Sequence, residues 1–195
     1  MRVNKVRQSG KIGFDEEKNP REFYDRSILE QREITDPDGL KRLMREGVEH
    51  SSVVCVLTGT GTWDSRWVKY EIARAVIDSK GSLNIDINGL THHKTSLANL
   101  PGLNPLESIR IPIVNFIFGR SNWSWSIEQN IRYEWNWRPY GDYTTSVSLP
   151  RYLKAPSIGY ILPLSVGARS YNYVNDVGGK NIGSWIDSAA SQARR

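Results

Sequence analysis

The chain of 195 residues has one cysteine, Cys55, and this excludes an internal disulfide. Cys55 lies within the apolar stretch SVVCVL, where a buried and inert thiol is expected.

Histidine is also scarce. His92 and His93 stand side by side with no cysteine or acid at metal-ligand spacing, so we expect no zinc site. The sequence also lacks a G-x-S-x-G motif and a cysteine–histidine pairing, so nothing in it indicates a nucleophilic hydrolase.

Long apolar runs are missing as well. No window approaches the 18 uninterrupted apolar residues of a membrane-spanning helix, and the first residues lack the apolar core of a signal peptide. We therefore expect a soluble cytoplasmic protein that does not contact membranes. The net charge of +5 comes from lysines and arginines that mostly stand beside acidic residues. Such mixed charges are typical of a solvated surface, so we do not expect the protein to bind nucleic acid.

Residues 36–90 alternate between helical and strand patterns. Asp36-Pro37-Asp38 is a helix start, and an apolar stripe at spacings of three and four follows it. The stretch SVVCVL predicts a strand covered on both faces, and a second helix capped by Asp64 or Ser65 precedes the strand pattern SLNIDINGL. This alternation predicts a doubly wound α/β sheet. We expect the second helix to end at Gly81.

Residues 91–195 have a different residue pattern. The segment 121–143 holds four of the seven tryptophans, and its aromatic residues alternate with polar ones, which predicts an antiparallel strand with one aromatic face. Packing is the commoner use of such aromatics, although they could stack a nucleobase. A final helix is expected, with Ser184 and Asp187 forming a capping box at its start. The length favours a single domain over 1–195, with a doubly wound portion (1–90) and a C-terminal portion (91–195).

The sequence TGTGT follows the first predicted strand. Gly59 and Gly61 match the first two glycines of a dinucleotide-binding turn, but Asp64 occupies the third position, where an acid would repel a pyrophosphate. Glycines at this place also permit a sharp strand-to-helix turn without any ligand. Either way, ligands of open α/β sheets bind beyond the carboxyl ends of the strands.

Glu71 falls at the edge of the apolar stripe of the second helix, on the same side as Trp67 and Arg74. A carboxylate at such a border can be partly desolvated and still reach a cleft. An exposed glutamate paired with Arg74 or Lys69 is the commoner arrangement on helices. Spacing alone leaves both interpretations open.

Several stretches resemble the TIR-like domains of the ThsB type, which belong to Thoeris anti-phage defence. The most specific is the strand, loop and helix between residues 52 and 76. The resemblance covers nearly the whole chain and is carried by SVVCVLTGTGTWDSRWVKYEIARAV, LNIDINGL, RVNKVRQSG, GLNPLESI, WRPYGDY and YNYVNDVGGKNIGSWI. It implies a flavodoxin-like, three-layer TIR fold with a mostly parallel sheet. The antiparallel aromatic-rich strands would extend its C-terminal half.

The resemblance also implies an activity. Enzymatic TIR domains cleave the bond between nicotinamide and ribose in NAD, and their essential glutamate often lies in W-x-x-x-E. Trp67 to Glu71 matches that spacing, so the resemblance assigns the catalytic role to Glu71 and packing support to Trp67. Trp67 and Gly59 are also expected to contact the substrate, and Tyr24 and Asp25 are expected to reach the same rim. NAD would be the substrate, and no cofactor or metal is expected.

The implied product is a cyclic ADP-ribose isomer that acts as a diffusible messenger for a partner effector, ThsA. Self-association is a further expectation, since many TIR enzymes work as assemblies. Two other functions fit the fold type: a non-enzymatic TIR interaction module, and an enzyme like the nucleoside 2-deoxyribosyltransferases. The family's short first strand, which precedes the R-V-N helix, has no counterpart here, so we expect the first strand of the fold to be missing.

Overall fold

A computed structural model describes residues 3, 5, 6, 36–91, 100–111, 113–115, 124, 125, 128–131, 136–141, 147–154 and 162–194. Within this part of the chain, three long helices and nine strands form a mixed α/β fold. None of these helices is long and apolar enough to cross a membrane.

Helix α1 (Pro37–Glu49) begins where the sequence predicts it. The Asp36 carboxylate accepts hydrogen bonds from the backbone N–H groups of Asp38 and Gly39 at 3.1 and 2.9 Å. Helix α2 (Arg66–Ile77) follows Ser65, whose hydroxyl accepts a long bond of 3.5 Å from the Val68 N–H. Both helices therefore begin at residues that can satisfy their free N–H groups.

A three-stranded parallel sheet lies at the centre, with strand order β1 (Val53–Thr58), β2 (Gly81–Asp86), β9 (Arg169–Asn172). The strands end in register, because Thr58 pairs with Asp86 and Asp86 pairs with Asn172. Their carboxyl ends thus form one edge of the sheet, which we call the carboxyl edge. The predicted parallel sheet is confirmed.

Apolar residues cover both faces of this sheet. Val54 and Val56 join the core of α1 and α2, whereas Val53, Cys55 and Leu57 join a second core with helix α3 (Gly178–Arg194). Alternate residues of one strand thus serve opposite layers. The arrangement is the helix–sheet–helix sandwich expected of a flavodoxin-like fold.

The antiparallel part follows β2. One sheet has the order β7 (Asn136–Pro139), β6 (Glu128–Ile131), β3 (Ile109–Ile111), β8 (Leu162–Pro163), and a smaller one pairs β4 (Ile113–Asn115) with β5 (Ser124–Trp125). All of these pairings are antiparallel, as predicted for the second half of the chain.

Two predicted helix boundaries are wrong. Helix α3 begins at Gly178, and the Ser184 hydroxyl donates to the Asn181 carbonyl within the helix instead of capping its start. Helix α2 ends at Ile77, with the left-handed turn at Ser79 (φ 54°), and Gly81 is the first residue of β2. Close approach explains this glycine, because a Cβ there would lie 2.6 Å from the carbonyl oxygen of Ala189 in α3.

Candidate functional site at the carboxyl edge of the parallel sheet

Glu71 is the sixth residue of α2, the helix that leaves the carboxyl end of β1. Its neighbours Tyr70 and Ile72 are buried, whereas Glu71 itself is half-buried. Glu71 therefore lies at the border between the packed and the open sides of the helix, as its spacing predicts. A carboxylate in this position keeps access to solvent while part of its surroundings is apolar.

The two cations proposed as ion-pair partners of Glu71 each have another acidic contact. The Arg74 guanidinium pairs with Asp78, one turn further along the helix. The Lys69 ammonium lies 3.7 Å from the Asp64 carboxylate and 5.7 Å from the centre of the Trp63 ring, and Lys69 is buried. Lys69 thus ties the start of α2 to the loop before it.

Trp67 is half-buried and packs against the core between α1, α2 and the sheet. Its ring meets Tyr70 edge-to-face, with centroids 6.4 Å apart, and the Arg66 guanidinium lies 5.1 Å above it. These contacts hold the indole on the same helix face as Glu71, one turn before it. Its role beside Glu71 in a reaction stays a prediction.

Residues 59–61 connect β1 to the turn before α2, and we call them the glycine loop; Gly59 at its start forms two hydrogen bonds with Thr62. The Gly59 N–H donates to the Thr62 hydroxyl at 2.8 Å, and the Thr62 N–H donates to the Gly59 carbonyl at 3.3 Å. The backbone at Gly102 also packs on this loop, since a Cβ there would lie 2.2 Å from the Gly59 oxygen. A substrate contact of Gly59 stays a prediction, and it would have to use other atoms or displace these bonds.

Polar side chains occupy the α2-facing side of the sheet near its carboxyl edge. Leu83 and Ile85 of β2 join the core with α3, so their neighbours in β2 point to the opposite face. We call the resulting group the edge patch; it consists of Thr58, Asn84, Asp86, Ser170 and Asn172. Thr58 and Asn84 are buried, and the Thr58 hydroxyl donates to the Asn84 amide oxygen.

Hydrogen bonds of Asn88 connect the edge patch to the glycine loop. Its backbone N–H and its side-chain N–H group both donate to Asp86 Oδ1, at 2.8 and 2.7 Å. The same amide nitrogen donates to the Thr58 carbonyl at 3.2 Å, and the Thr60 hydroxyl donates to the Asn88 amide oxygen at 3.2 Å. Asn88 is 2% exposed, so it positions the Asp86 carboxylate from within the protein.

Neither the edge patch nor Asn88 was among the residues predicted from the sequence. Their signal is the alternation in SLNIDIN, where polar residues at 82, 84, 86 and 88 separate apolar ones. A central parallel strand is normally apolar on both faces, so a polar face on such a strand marks a place with another use.

Tyr24 and Asp25 lie outside the described residues. Cys55 is half-buried as a residue and packs against the core with α3. Burial of the thiol raises its pKa to about 12, which leaves it protonated and unreactive. Among the residues that the structure describes, no three histidine, cysteine or acidic side chains come together as metal ligands.

Comparison with known proteins gives two findings. The family model for the TIR-like domain of the Thoeris protein ThsB matches residues 1–92. A protein of Bacillus cereus strain MSX-D12 named "Putative cyclic ADP-D-ribose synthase ThsB1" is 30% identical over 172 residues, which cover 84% of this chain and 81% of that protein.

Proposed function

This chain belongs to the Thoeris ThsB family of TIR-like proteins, and on that premise we propose that it cleaves NAD and forms a cyclic ADP-ribose-type messenger. The messenger would activate the effector ThsA in anti-phage defence. The name of the Bacillus cereus relative supports this class of reaction. The observation that carries the proposal is Glu71, half-buried on the helix that leaves the carboxyl edge.

One carboxylate suits the proposed chemistry. Loss of nicotinamide leaves positive charge on the ribose, as in glycoside cleavage. A fixed anion beside the sugar stabilises that charge more in the transition state than in the ground state, and it does so most strongly where water is excluded. Glu71 would be this anion, acting on the ribosyl cation directly or through the sugar hydroxyls.

Formation of a ring requires more than cleavage. The adenine end must fold back and capture the ribosyl cation before water does. Half-buried Trp67, on the same helix face as Glu71, would narrow the space open to water near the sugar. Effective capture therefore depends on both the acid and its apolar surroundings.

Glu71→Gln tests the role of the carboxylate. We expect this variant to lose nicotinamide release by about 10³-fold or more, because it removes the charge that opposes the developing cation. Liquid chromatography of nicotinamide and mass spectrometry of the ADP-ribose products measure the loss. Glu46→Gln, at an exposed position of α1, is the matched control and should retain full activity.

Full turnover by Glu71→Gln, with an unchanged circular dichroism spectrum, would contradict the assignment. If wild-type protein releases no nicotinamide even at high concentration, an interaction module without enzymatic activity is the better account. Exchange of purines between deoxynucleosides would instead indicate a deoxyribosyltransferase.

A further inference from the structure

Asp86 holds one carboxylate oxygen ready for a ligand. Its Oδ1 accepts the two bonds from Asn88, whereas among the described residues its Oδ2 has a single long contact, 3.5 Å to the side-chain nitrogen of Asn172. A contact at that distance is weak, so Oδ2 retains its capacity to accept strong hydrogen bonds. Asp86 is half-buried, and the buried Asn88 prevents the carboxylate from turning freely.

Asn172 places an amide donor beside this oxygen. Its own amide oxygen is occupied, since it accepts from the backbone N–H groups of Val174 and Asn175 at 3.1 and 2.9 Å. These bonds orient the Asn172 nitrogen toward Asp86. The edge patch thus presents one carboxylate acceptor and one amide donor next to each other, at the carboxyl ends of two adjacent strands.

This pair matches two neighbouring hydroxyl groups. Each hydroxyl donates one hydrogen bond and accepts others, so a vicinal diol can donate to Asp86 Oδ2 and accept from the Asn172 amide. In dinucleotide-binding sheets, an acidic residue serves the ribose hydroxyls in the same way.

Other small ligands fit less well. A phosphate would face the Asp86 negative charge, and in the described part of the chain no lysine or arginine pairs with that carboxylate. A divalent cation would have one carboxylate ligand here, and the neighbouring side chains are neutral amides. In the described ranges no acidic or histidine cluster supplies further ligands.

We infer that Asp86 and Asn172 form a ribose-diol subsite, with Asp86 Oδ2 accepting from the sugar hydroxyls of the nucleotide substrate. The choice of a dinucleotide rests on the proposed function. The subsite would position one ribose at the carboxyl edge on the α2 side of the sheet, the side where Glu71 stands on its helix. Asp86 would set the preference for ribose over deoxyribose.

The test is ligand binding without turnover. Isothermal titration calorimetry measures the dissociation constants of ADP-ribose and of its two analogues that lack the 2′-hydroxyl on one ribose or the other. We expect wild-type protein to bind one of these analogues about 10-fold more weakly, which corresponds to one lost hydrogen bond to a charged group.

Asp86→Asn is the informative variant. The amide can keep its oxygen toward Asn88, and it replaces Oδ2 by a nitrogen that cannot accept. We expect this variant to bind ADP-ribose about 10-fold more weakly and to lose its preference over the analogue. Glu46→Gln is again the matched control, because it makes the same carboxylate-to-amide change at an exposed position of α1.

Retained discrimination in Asp86→Asn, or no discrimination by wild-type protein, overturns the inference. A crystal structure of wild-type protein with ADP-ribose gives a second measurement if the variant does not fold. A diol oxygen within 3 Å of Asp86 Oδ2 supports the subsite, and a ribose elsewhere overturns it. Nicotinamide release is assayed separately, so failure of the proposed function remains distinguishable from failure of this inference.

Discussion

At the scale of single residues, Asn88 shows how a buried amide organises the site. Its nitrogen serves two acceptors, Asp86 and the Thr58 carbonyl, and its oxygen accepts from Thr60. The bonds with Thr58 and Thr60 join the turn after β2 to the end of β1 and the loop that follows it, and the bond with Asp86 fixes the end of β2 itself. The sequence shows only an asparagine two residues after an aspartate, because spacing along the chain does not reveal which loop it meets.

Asn88→Asp is expected to destabilise the protein by about 2–3 kcal/mol at neutral pH. The change removes both side-chain donor bonds and sets a second negative charge against Asp86. Repulsion raises the folded-state pKa of the carboxyl pair, so the penalty should shrink as the pH falls toward about 5.

Urea unfolding at pH 7.5 and pH 5 measures this change in the free energy of unfolding. Asn175→Asp, on the exposed part of the loop after β9, is the control and should change stability by less than about 0.5 kcal/mol. A penalty for Asn88→Asp that does not depend on pH would contradict the proposed contact between the two charges.

At the scale of elements, α3 and β2 approach so closely that a glycine is required between them. A Cβ at Gly81 would lie 2.6 Å from the Ala189 carbonyl oxygen, 2.9 Å from the Ala189 carbonyl carbon and 3.1 Å from the Val53 side chain. The sequence pattern predicted this glycine at the end of α2, because glycine commonly follows helices. The true reason lies in a helix more than a hundred residues away.

Gly81→Ala is therefore expected to cost about 1–3 kcal/mol of stability, because backbone atoms must move to admit the methyl group. Gly61→Ala is the matched control. Gly61 has φ −104° and no atom within 4 Å of the added carbon, so its substitution should be neutral or should stabilise by up to about 1 kcal/mol. Thermal melts of both variants measure the difference. Equal effects would show that α3 does not approach β2 as closely as described.

At the scale of the whole molecule, two buried titratable groups link stability to alkaline pH. Burial raises the pKa of Cys55 to about 12 from 9.0. Burial likewise raises the pKa of Tyr152 to about 12 from 10.0, and a hydrogen bond with Ser82 opposes that shift. The folded state holds both protons more tightly than the unfolded chain, so the stability they contribute is complete below pH 9 and is lost between pH 9 and pH 12.

We therefore expect the free energy of unfolding to fall above pH 9, by at most about 1.4 kcal/mol per pH unit for each group. Cys55→Val should reduce this slope, because valine has no proton to lose in the unfolded state. Urea titrations at pH 8, 9.5 and 10.5 measure the slopes of both proteins.

In parallel, native protein should resist thiol reagents at pH 8, and unfolded protein should react at once. Rapid labelling of native Cys55 would contradict the buried thiol.

The local sequence determined much of the fold. Asp36 and Ser65 cap helices because their oxygens reach the next free N–H groups. SVVCVL forms a strand of the parallel sheet, and apolar cores cover both of its faces. The border position of Glu71 follows from helical periodicity alone. The match to the ThsB family also depends on sequence.

Only the tertiary structure decided which polar groups meet. The sequence did not predict that residues 169–172 pair with β2, yet that pairing brings Asn172 to Asp86 across 86 positions of the chain. It also did not predict the start of α3, where Val177 adopts φ 53° before two glycines. Contacts of this kind depend on strand order and close packing, and these are properties of the folded chain as a whole that no local pattern encodes.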